Sequence, residues 1–236
     1  MYYGSFVLPE SLLKENRRAF EWKRANPVGS LMNIRRYPII SGLAVSFFLI
    51  YIAAHAVQSN WAYYTMYKFN WSSLMVGISL SVVGVLVAIV QGALIRITIP
   101  KLGEKNSVYT GLALYVAGML LFAFASQGWM MFVFLVPYCL GGIAGPSLQA
   151  VISGHVPPDQ QGLLQGSLTS LMSLSTVFGP LVMTNTFYYF TSSKAPFYLP
   201  GIHFLIGAAC MLVSVFIISK VLNKEKKQDP ALPSTS

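Results

Sequence analysis

Charged residues are scarce in this sequence. They make up 10% of its 236 residues, whereas 55% are hydrophobic. An average soluble domain carries about a quarter charged residues. A chain of this composition cannot cover a water-facing surface with charge, so we expect lipid to be its main solvent. The composition therefore predicts a membrane protein.

Acidic residues are the rarest charged group, and all seven lie outside the long apolar stretches. We therefore expect no carboxylate at membrane depth in this chain to carry a proton or to coordinate a cation. These residues are Glu10, Glu15, Glu21, Glu104, Asp159, Glu225 and Asp229.

Enzyme motifs are missing as well. The sequence has no P-loop lysine, no G-x-S-x-G, no H-E-x-x-H and no paired cysteine motif. Cys139 and Cys210 both fall in apolar runs and are interpreted as packing residues. His155 and His203 have no metal partners in the surrounding sequence. We therefore predict that the protein is not an enzyme and needs no metal or cofactor.

Long apolar stretches are abundant. A helix needs about 20 apolar residues to cross a bilayer core of about 30 Å. Six stretches reach that length, and none alternates with the period of a strand. The sequence therefore predicts an all-α membrane protein with a six-helix bundle over residues 38–220. The predicted spans are 38–60, 73–95, 107–126, 129–153, 163–190 and 197–219.

Basic residues predict the orientation of these spans. Fourteen of the sixteen Lys and Arg residues precede the first span, follow the last, or lie between the second and third. Only Lys68 and Lys194 fall on the other side. The positive-inside rule then places both termini in the cytoplasm, in a multi-pass protein of the inner or plasma membrane. The net charge of +9 is thus explained by topology, and no nucleic-acid partner is expected.

Aromatic residues cluster in the predicted outer loops, as in an interfacial belt. They are Trp61, Tyr63, Tyr64, Tyr67, Trp71, Trp129, Tyr188 and Tyr198. At the ends of the chain, residues 1–37 are expected to be the end of a preceding span plus a cytoplasmic linker. Residues 221–236 are expected to form a disordered cytoplasmic tail.

Few polar residues lie within the spans, and His55 is the main ionisable one. Tyr51 and Gln58 fall on the same helix face as His55. Such a stripe either lines a substrate cavity or bonds to a neighbouring helix, and both interpretations stay open. The full set of predicted cavity residues is Tyr51, His55, Gln58, Gln91, Tyr115 and Gln149.

Small residues and prolines predict close packing and bends. Glycines spaced four apart let membrane helices approach closely, proline bends a helix, and an aspartate caps a helix start. Together these features suit a protein that moves between two shapes, although static bundles contain them too. The predicted hinge and packing residues are Gly141, Gly145, Pro146, Asp159, Gly162, Gly166, Gly179 and Pro180.

Three stretches in combination resemble the second half of the tetracycline-efflux pumps, which are drug/proton antiporters of the major facilitator superfamily. They are GGIAGPSLQAVIS (141–153), QQGLLQGSLTSL (160–171) and VFGPLV (177–182). The resemblance extends from FVLPESL (6–12) through KLGEK (101–105) to about Leu181. It implies a major-facilitator-type half bundle, the second half of a transporter that exports an amphipathic small molecule in exchange for protons, as in antibiotic resistance. It also implies an N-terminal half as partner.

The chain departs from those pumps in the loop before KLGEK, where Arg96-Ile97 replaces Gly-Arg, and at three positions within the spans. Val87 stands where they resemble one another in having His, Tyr115 where they have Asp, and His55 where they have Gln. The resemblance therefore implies a substrate other than tetracycline, with proton coupling supplied by a carboxylate of the first half. The alternative is a non-transporting half-sized protein that acts by assembling with a separate N-terminal half or with itself.

Overall fold

A computed structural model describes residues 38–193 and 195–228, in which every regular element is helical. Within these ranges lie nine α-helices: α1 (Pro38–Gln58), α2 (Trp61–Phe69), α3 (Ser73–Ile89), α4 (Ile95–Leu102), α5 (Glu104–Phe124), α6 (Gly128–Leu140), α7 (Ala144–Gly154), α8 (Gln161–Thr191) and α9 (Ile202–Gln228). A π-helical segment, Val90–Leu94, joins α3 to α4. Short 3-10 segments, Gly141–Ile143 and Pro158–Gln160, precede α7 and α8.

Six continuous helical stretches among the described residues are long and apolar enough to cross a membrane. We number them spans 1 to 6: Ile39–Phe69, Ser73–Leu102, Glu104–Phe124, Gly128–Gly154, Pro158–Thr191 and Ile202–Lys224. The prediction of an all-α protein with six transmembrane helices is confirmed. The predicted N-terminal linker and residues 229–236 lie outside the described residues. Residues 221–228, predicted as part of a disordered tail, instead continue α9.

The prediction that these aromatic residues lie in outer loops is wrong at two positions. Trp61 and Tyr64 were predicted in an outer loop, but α2 extends span 1 through them, and they are only 3% and 0% exposed. Tyr64 donates a hydrogen bond to the Phe122 carbonyl at 2.8 Å, and its oxygen accepts one from Lys68 Nζ at 3.0 Å. Burial of these rings is favourable because their polar atoms find partners inside the bundle.

Spans 3 and 4 pack backbone against backbone through three glycines. A Cβ built at Gly118 would lie 2.8 Å from the Tyr138 Cα, and one at Gly111 would lie 2.7 Å from the Ala144 nitrogen. Gly141 makes the reciprocal contact, since its Cβ would lie 2.7 Å from Cγ of Tyr115. These helices therefore approach as closely as they do only because the side chains are absent.

Spans 2 and 5 lie at the edge of the bundle. Within the most apolar 18 residues of each span, only 17% are buried in span 2 and 28% in span 5, against 39% to 50% in the other four spans. Span 1 packs against spans 5 and 6. The described chain thus has a packed centre and two helices with largely uncovered faces.

The glycine contact predicts that Gly118→Ala destabilises the bundle by about 1–3 kcal/mol, because the added methyl group meets backbone atoms that cannot move aside cheaply. Gly84→Ala is the matched control, since nothing lies within 4 Å of a Cβ built there. Thermal unfolding of the purified chain in detergent measures both. Equal melting temperatures for the two variants would contradict the close packing of spans 3 and 4.

Candidate substrate cavity

A cavity of about 270 Å³ lies between the first four spans. Span 1 contributes Gln58 and Trp61 to its wall, and span 3 contributes Tyr115. Four valines and a leucine from spans 1 and 2 form most of the apolar lining, namely Val57, Val83, Val87, Val90 and Leu80. The site is therefore concave, mostly apolar and supplied with a few polar groups, as small-molecule sites usually are.

Three aromatic rings line the cavity, those of Trp61, Tyr115 and Tyr138, and the buried Phe122 ring behind the lining connects them. The Trp61 ring lies 5.2 Å from Phe122, Phe122 lies 5.4 Å from Tyr138, and Tyr138 lies 5.2 Å from Tyr115. The first and last of these contacts are edge-to-face, the arrangement that the charge distribution of aromatic rings favours. Contacts between rings, two of them made by Phe122, thus hold the three lining rings in place.

Four polar side chains of the lining have uncommitted hydrogen-bonding groups. Within the described residues, no hydrogen bond occupies the side-chain amides of Gln58 and Gln91 or the hydroxyls of Tyr115 and Tyr138. Trp61 differs, because its Nε1 donates to Ser79 Oγ at 2.8 Å. Gln58 and Gln91 are exposed and mark the open side, whereas Tyr138 is 8% exposed and lies deeper.

A π-helical segment brings Gln91 to the cavity. The backbone N–H of Ile95 bonds to the carbonyl of Val90, five residues back, and this wide turn inserts one extra residue into span 2. Both Val90 and Gln91 then line the cavity. Single π turns inside α-helices are frequently found at functional sites. Nothing in the apolar pattern of span 2 predicted this segment.

A 3-10 segment shapes the opposite wall. Pro146 has no N–H to donate to the carbonyl of Gly142, four residues earlier, and the α-helix is interrupted at Gly141–Ile143. A Cβ at Gly142 would lie 3.8 Å from the Tyr115 hydroxyl. Gly145 and Pro146 sit in the first turn of α7, with the Tyr51 hydroxyl 4.0 Å from a Cβ built at Gly145.

Three predicted cavity residues line this cavity and three lie elsewhere. Gln58, Gln91 and Tyr115 share its wall. His55 is 8% exposed and packs against Gly179, and Gln149 donates to Oε1 of Gln165 at 2.7 Å. Tyr51 packs its ring 4.7 Å from Phe47.

Sequence reasoning missed several lining residues. The sequence pattern assigns Trp61 to an outer loop and Cys139 to packing alone, and Tyr138 and Gly142 carry no signal that separates them from other apolar span residues. Their positions depend on the 3-10 segment and on the extension of span 1 through α2. Neither feature changes hydropathy enough to be recognised in a single sequence.

The structure places the predicted hinge residues as follows. Asp159 lies in the 3-10 segment before α8, and Gln160 occupies the N-cap position of that helix. Gly162 and Gly166 form no packing ridge within the described residues, since a Cβ at either would meet nothing within 4 Å. Gly179 and Pro180 leave α8 continuous from Gln161 to Thr191.

Comparisons with known proteins identify the class. The family model of the Major Facilitator Superfamily matches residues 16–235, and the chain belongs to that superfamily of transporters. The human organic anion transporter MFSD10 (TETRAN) has the same fold, with a TM-score of 0.74 and 25% identity over 89% of this chain and 52% of that one. The protein is therefore a multi-pass membrane protein of a family that moves small molecules across membranes.

Relatives of similar sequence include two tetracycline resistance proteins and one human protein. The class C tetracycline resistance protein of Escherichia coli is 35% identical over 210 residues, covering 89% of this chain and 52% of that protein. The class G protein of Vibrio anguillarum is 38% identical over 145 residues, covering 61% and 37%. Human hippocampus abundant transcript-like protein 1 is 28% identical over 230 residues, covering 89% and 46%. The chain thus spans about half the length of its relatives.

The contact between His55 and Gly179 generates a stability prediction. A Cβ at Gly179 would lie 2.6 Å from His55 Cγ and 2.8 Å from its Cβ, so Gly179→Ala forces the ring aside and should cost about 1–3 kcal/mol. His55→Ala removes the obstructing ring. The double variant should therefore lose less stability than the sum of the losses in the two single variants.

Thermal unfolding of the four proteins in this cycle measures the coupling. Gly145→Ala serves as the control, because its Cβ would meet only the Tyr51 hydroxyl at ordinary contact distance. Strict additivity in the cycle would mean that His55 and Gly179 do not pack as described.

Proposed function

We propose that this chain is the C-terminal half of a proton-coupled multidrug efflux antiporter that works by alternating access. Its substrate is an amphipathic small molecule that enters the cavity formed by spans 1 to 4. Both termini lie in the cytoplasm, and the protein resides in the inner or plasma membrane. One observation carries the proposal: a polar, small-residue face of span 5 that nothing in the described chain covers.

Five exposed residues form this face, which we call the span 5 face: Gly162, Gly166, Thr169, Ser173 and Thr176. Their spacing places them on one side of α8. Each hydroxyl is bonded to a carbonyl of its own helix, for example Thr169 to Gln165 at 2.8 Å and Ser173 to Thr169 at 3.0 Å. The face therefore needs no further hydrogen bonds, and its small side chains permit close approach by another helix.

Lipid is a poor match for such a face, because lipid-facing positions are usually occupied by large apolar side chains. Leu181 and Val182, later in the same helix, are 57% and 47% exposed and fit lipid. The span 5 face instead suits a protein surface or a water-filled path between two halves. A chain that spans half the length of its relatives supports the same conclusion, with an N-terminal half as the partner.

We assign proton coupling to the N-terminal half. The two acidic residues with described side chains, Glu104 and Asp159, lie in the first turns of their spans rather than at mid-membrane. Val87 and Tyr115, which replace the His and Asp of the pumps that the sequence resembles, both line the cavity. A cavity without those ionisable groups supports a substrate other than tetracycline and a coupling carboxylate outside this chain.

A second candidate function is a non-transporting membrane protein that assembles with itself or with a separate N-terminal half. The exposed span 5 face also fits a second copy of the chain. Disulfide crosslinking of Ser173→Cys in native membranes, in a background lacking Cys139 and Cys210, separates the two candidates. Crosslinked homodimers that persist when an N-terminal half is present would favour self-assembly.

The efflux proposal predicts reduced accumulation of a fluorescent amphipathic dye in cells that express the chain together with its N-terminal half. The coding DNA immediately upstream is the first place to look for that half. Because export is coupled to protons, a protonophore should abolish the difference. The chain alone should leave accumulation unchanged, and efflux by this chain as a monomer would contradict the proposal.

The span 5 face predicts that Gly166→Leu lowers co-purification with the N-terminal half by roughly tenfold, because the larger side chain fills the space that a partner helix needs. Insertion and melting temperature of the chain itself should not change, since the position is open. Gly154→Leu is the matched control, as a Cβ there also meets nothing within 4 Å but lies at the end of α7. Equal co-purification of both variants would rule out this face as the interface.

A further inference from the structure

We infer that the cavity binds an uncharged aromatic ring bearing a hydroxyl or carbonyl group, either as a whole ligand or as the neutral part of a larger substrate. This inference deepens the proposed function by naming the substrate class of that cavity. As a statement about binding, it is tested without transport.

The first argument is electrostatic. Every side chain that lines the cavity is an amide, a phenol, an indole, a thiol or a hydrocarbon, so the lining carries no formal charge. An ion entering it would lose water without gaining a counter-charge, which is costly in a low-dielectric site. A neutral ligand avoids this cost. The composition of the wall therefore selects against both anions and cations.

The second argument concerns shape and apolar contact. The rings of Trp61, Tyr115 and Tyr138 line the wall of the cavity, and contacts with one another and with the buried Phe122 ring hold them in place. The indole N–H of Trp61 is already bonded to Ser79, so Trp61 offers the cavity its ring alone. An aromatic ligand stacks on such a wall and fills a 270 Å³ space with few rotatable bonds to order.

The third argument concerns hydrogen bonds. The amides of Gln58 and Gln91 each offer hydrogen-bond donors and an acceptor, and the hydroxyls of Tyr115 and Tyr138 can each donate and accept a hydrogen bond. None of these groups is committed to another protein group within the described residues. A hydroxyl or carbonyl on the ligand can pair with them at no cost in charge desolvation, which orients the ring within the cavity.

The test uses three ligands with the same bicyclic ring: 2-naphthol, which is neutral, 2-naphthoate, an anion, and 2-naphthylmethylammonium, a cation. Equilibrium dialysis of each tritiated ligand against the full chain in nanodiscs, at neutral pH, gives its affinity. Empty nanodiscs correct for partition into lipid. We expect saturable binding of 2-naphthol that is at least about tenfold tighter than that of either ion.

Variants locate the binding in the cavity. Gly142→Leu places a side chain in the cavity and should abolish 2-naphthol binding, whereas Gly77→Leu, on span 2 but outside the lining, should preserve it. Val87→Phe provides a second filled cavity if Gly142→Leu folds poorly. Gln91→Glu adds a carboxylate and should raise the affinity for the ammonium ligand about tenfold while leaving that for naphthoate no higher.

Several results would overturn the inference. Either ion binding as tightly as 2-naphthol would mean that neutrality of the lining does not select the ligand. If both filled-cavity variants still bind 2-naphthol, the binding site lies elsewhere. If 2-naphthol shows no saturable binding to the unaltered chain, the proposed site does not exist. Efflux by the complete transporter is measured separately, so lost binding with retained efflux rejects this inference alone. Retained binding with no efflux rejects the proposed function alone.

Discussion

Hydrocarbon offers no partner to a polar group, and most of this structure follows from that constraint. Every backbone group in a span must bond within the protein, which leaves helices as the only regular element in the described residues. Hydroxyls of span 5 bond to carbonyls one turn earlier, and Tyr64 reaches across the bundle to the Phe122 carbonyl. Charge stays at the ends of the spans for the same reason.

Close backbone contact supplies the packing that hydrophobicity cannot supply in lipid. Between spans 3 and 4, glycines remove the side chains that would hold the helices apart. The same contact sets the position of the cavity, because Tyr115 and Tyr138 belong to these two spans and their rings meet at 5.2 Å. Packing and site are therefore consequences of one arrangement, and a change at Gly111, Gly118 or Gly141 affects both.

The number of spans was predictable from sequence because a run of about twenty apolar residues matches the length of a membrane-spanning helix. Their ends were less predictable: aromatic residues after Gln58 suit an interface as well as a buried helix, and only packing against Phe122 and Ser79 decides for burial. Among site residues, Gln58, Gln91 and Tyr115 stood out as polar groups in apolar surroundings. Trp61, Tyr138 and Gly142 did not, because their positions depend on local breaks in helix geometry.

The two positions where this chain lacks the ionisable residues of the pumps it resembles both line the cavity, which bears on the proposed division of roles between two halves. A proton-coupled exporter needs a group that changes charge and a surface that holds its substrate. In this chain the surface is neutral, with Val87 and Tyr115 among its residues. His55, the ionisable residue on the same span as Gln58, packs against Gly179 rather than lining the cavity. The proposed function therefore assigns recognition of a neutral ring to this half and the change of charge to the N-terminal half.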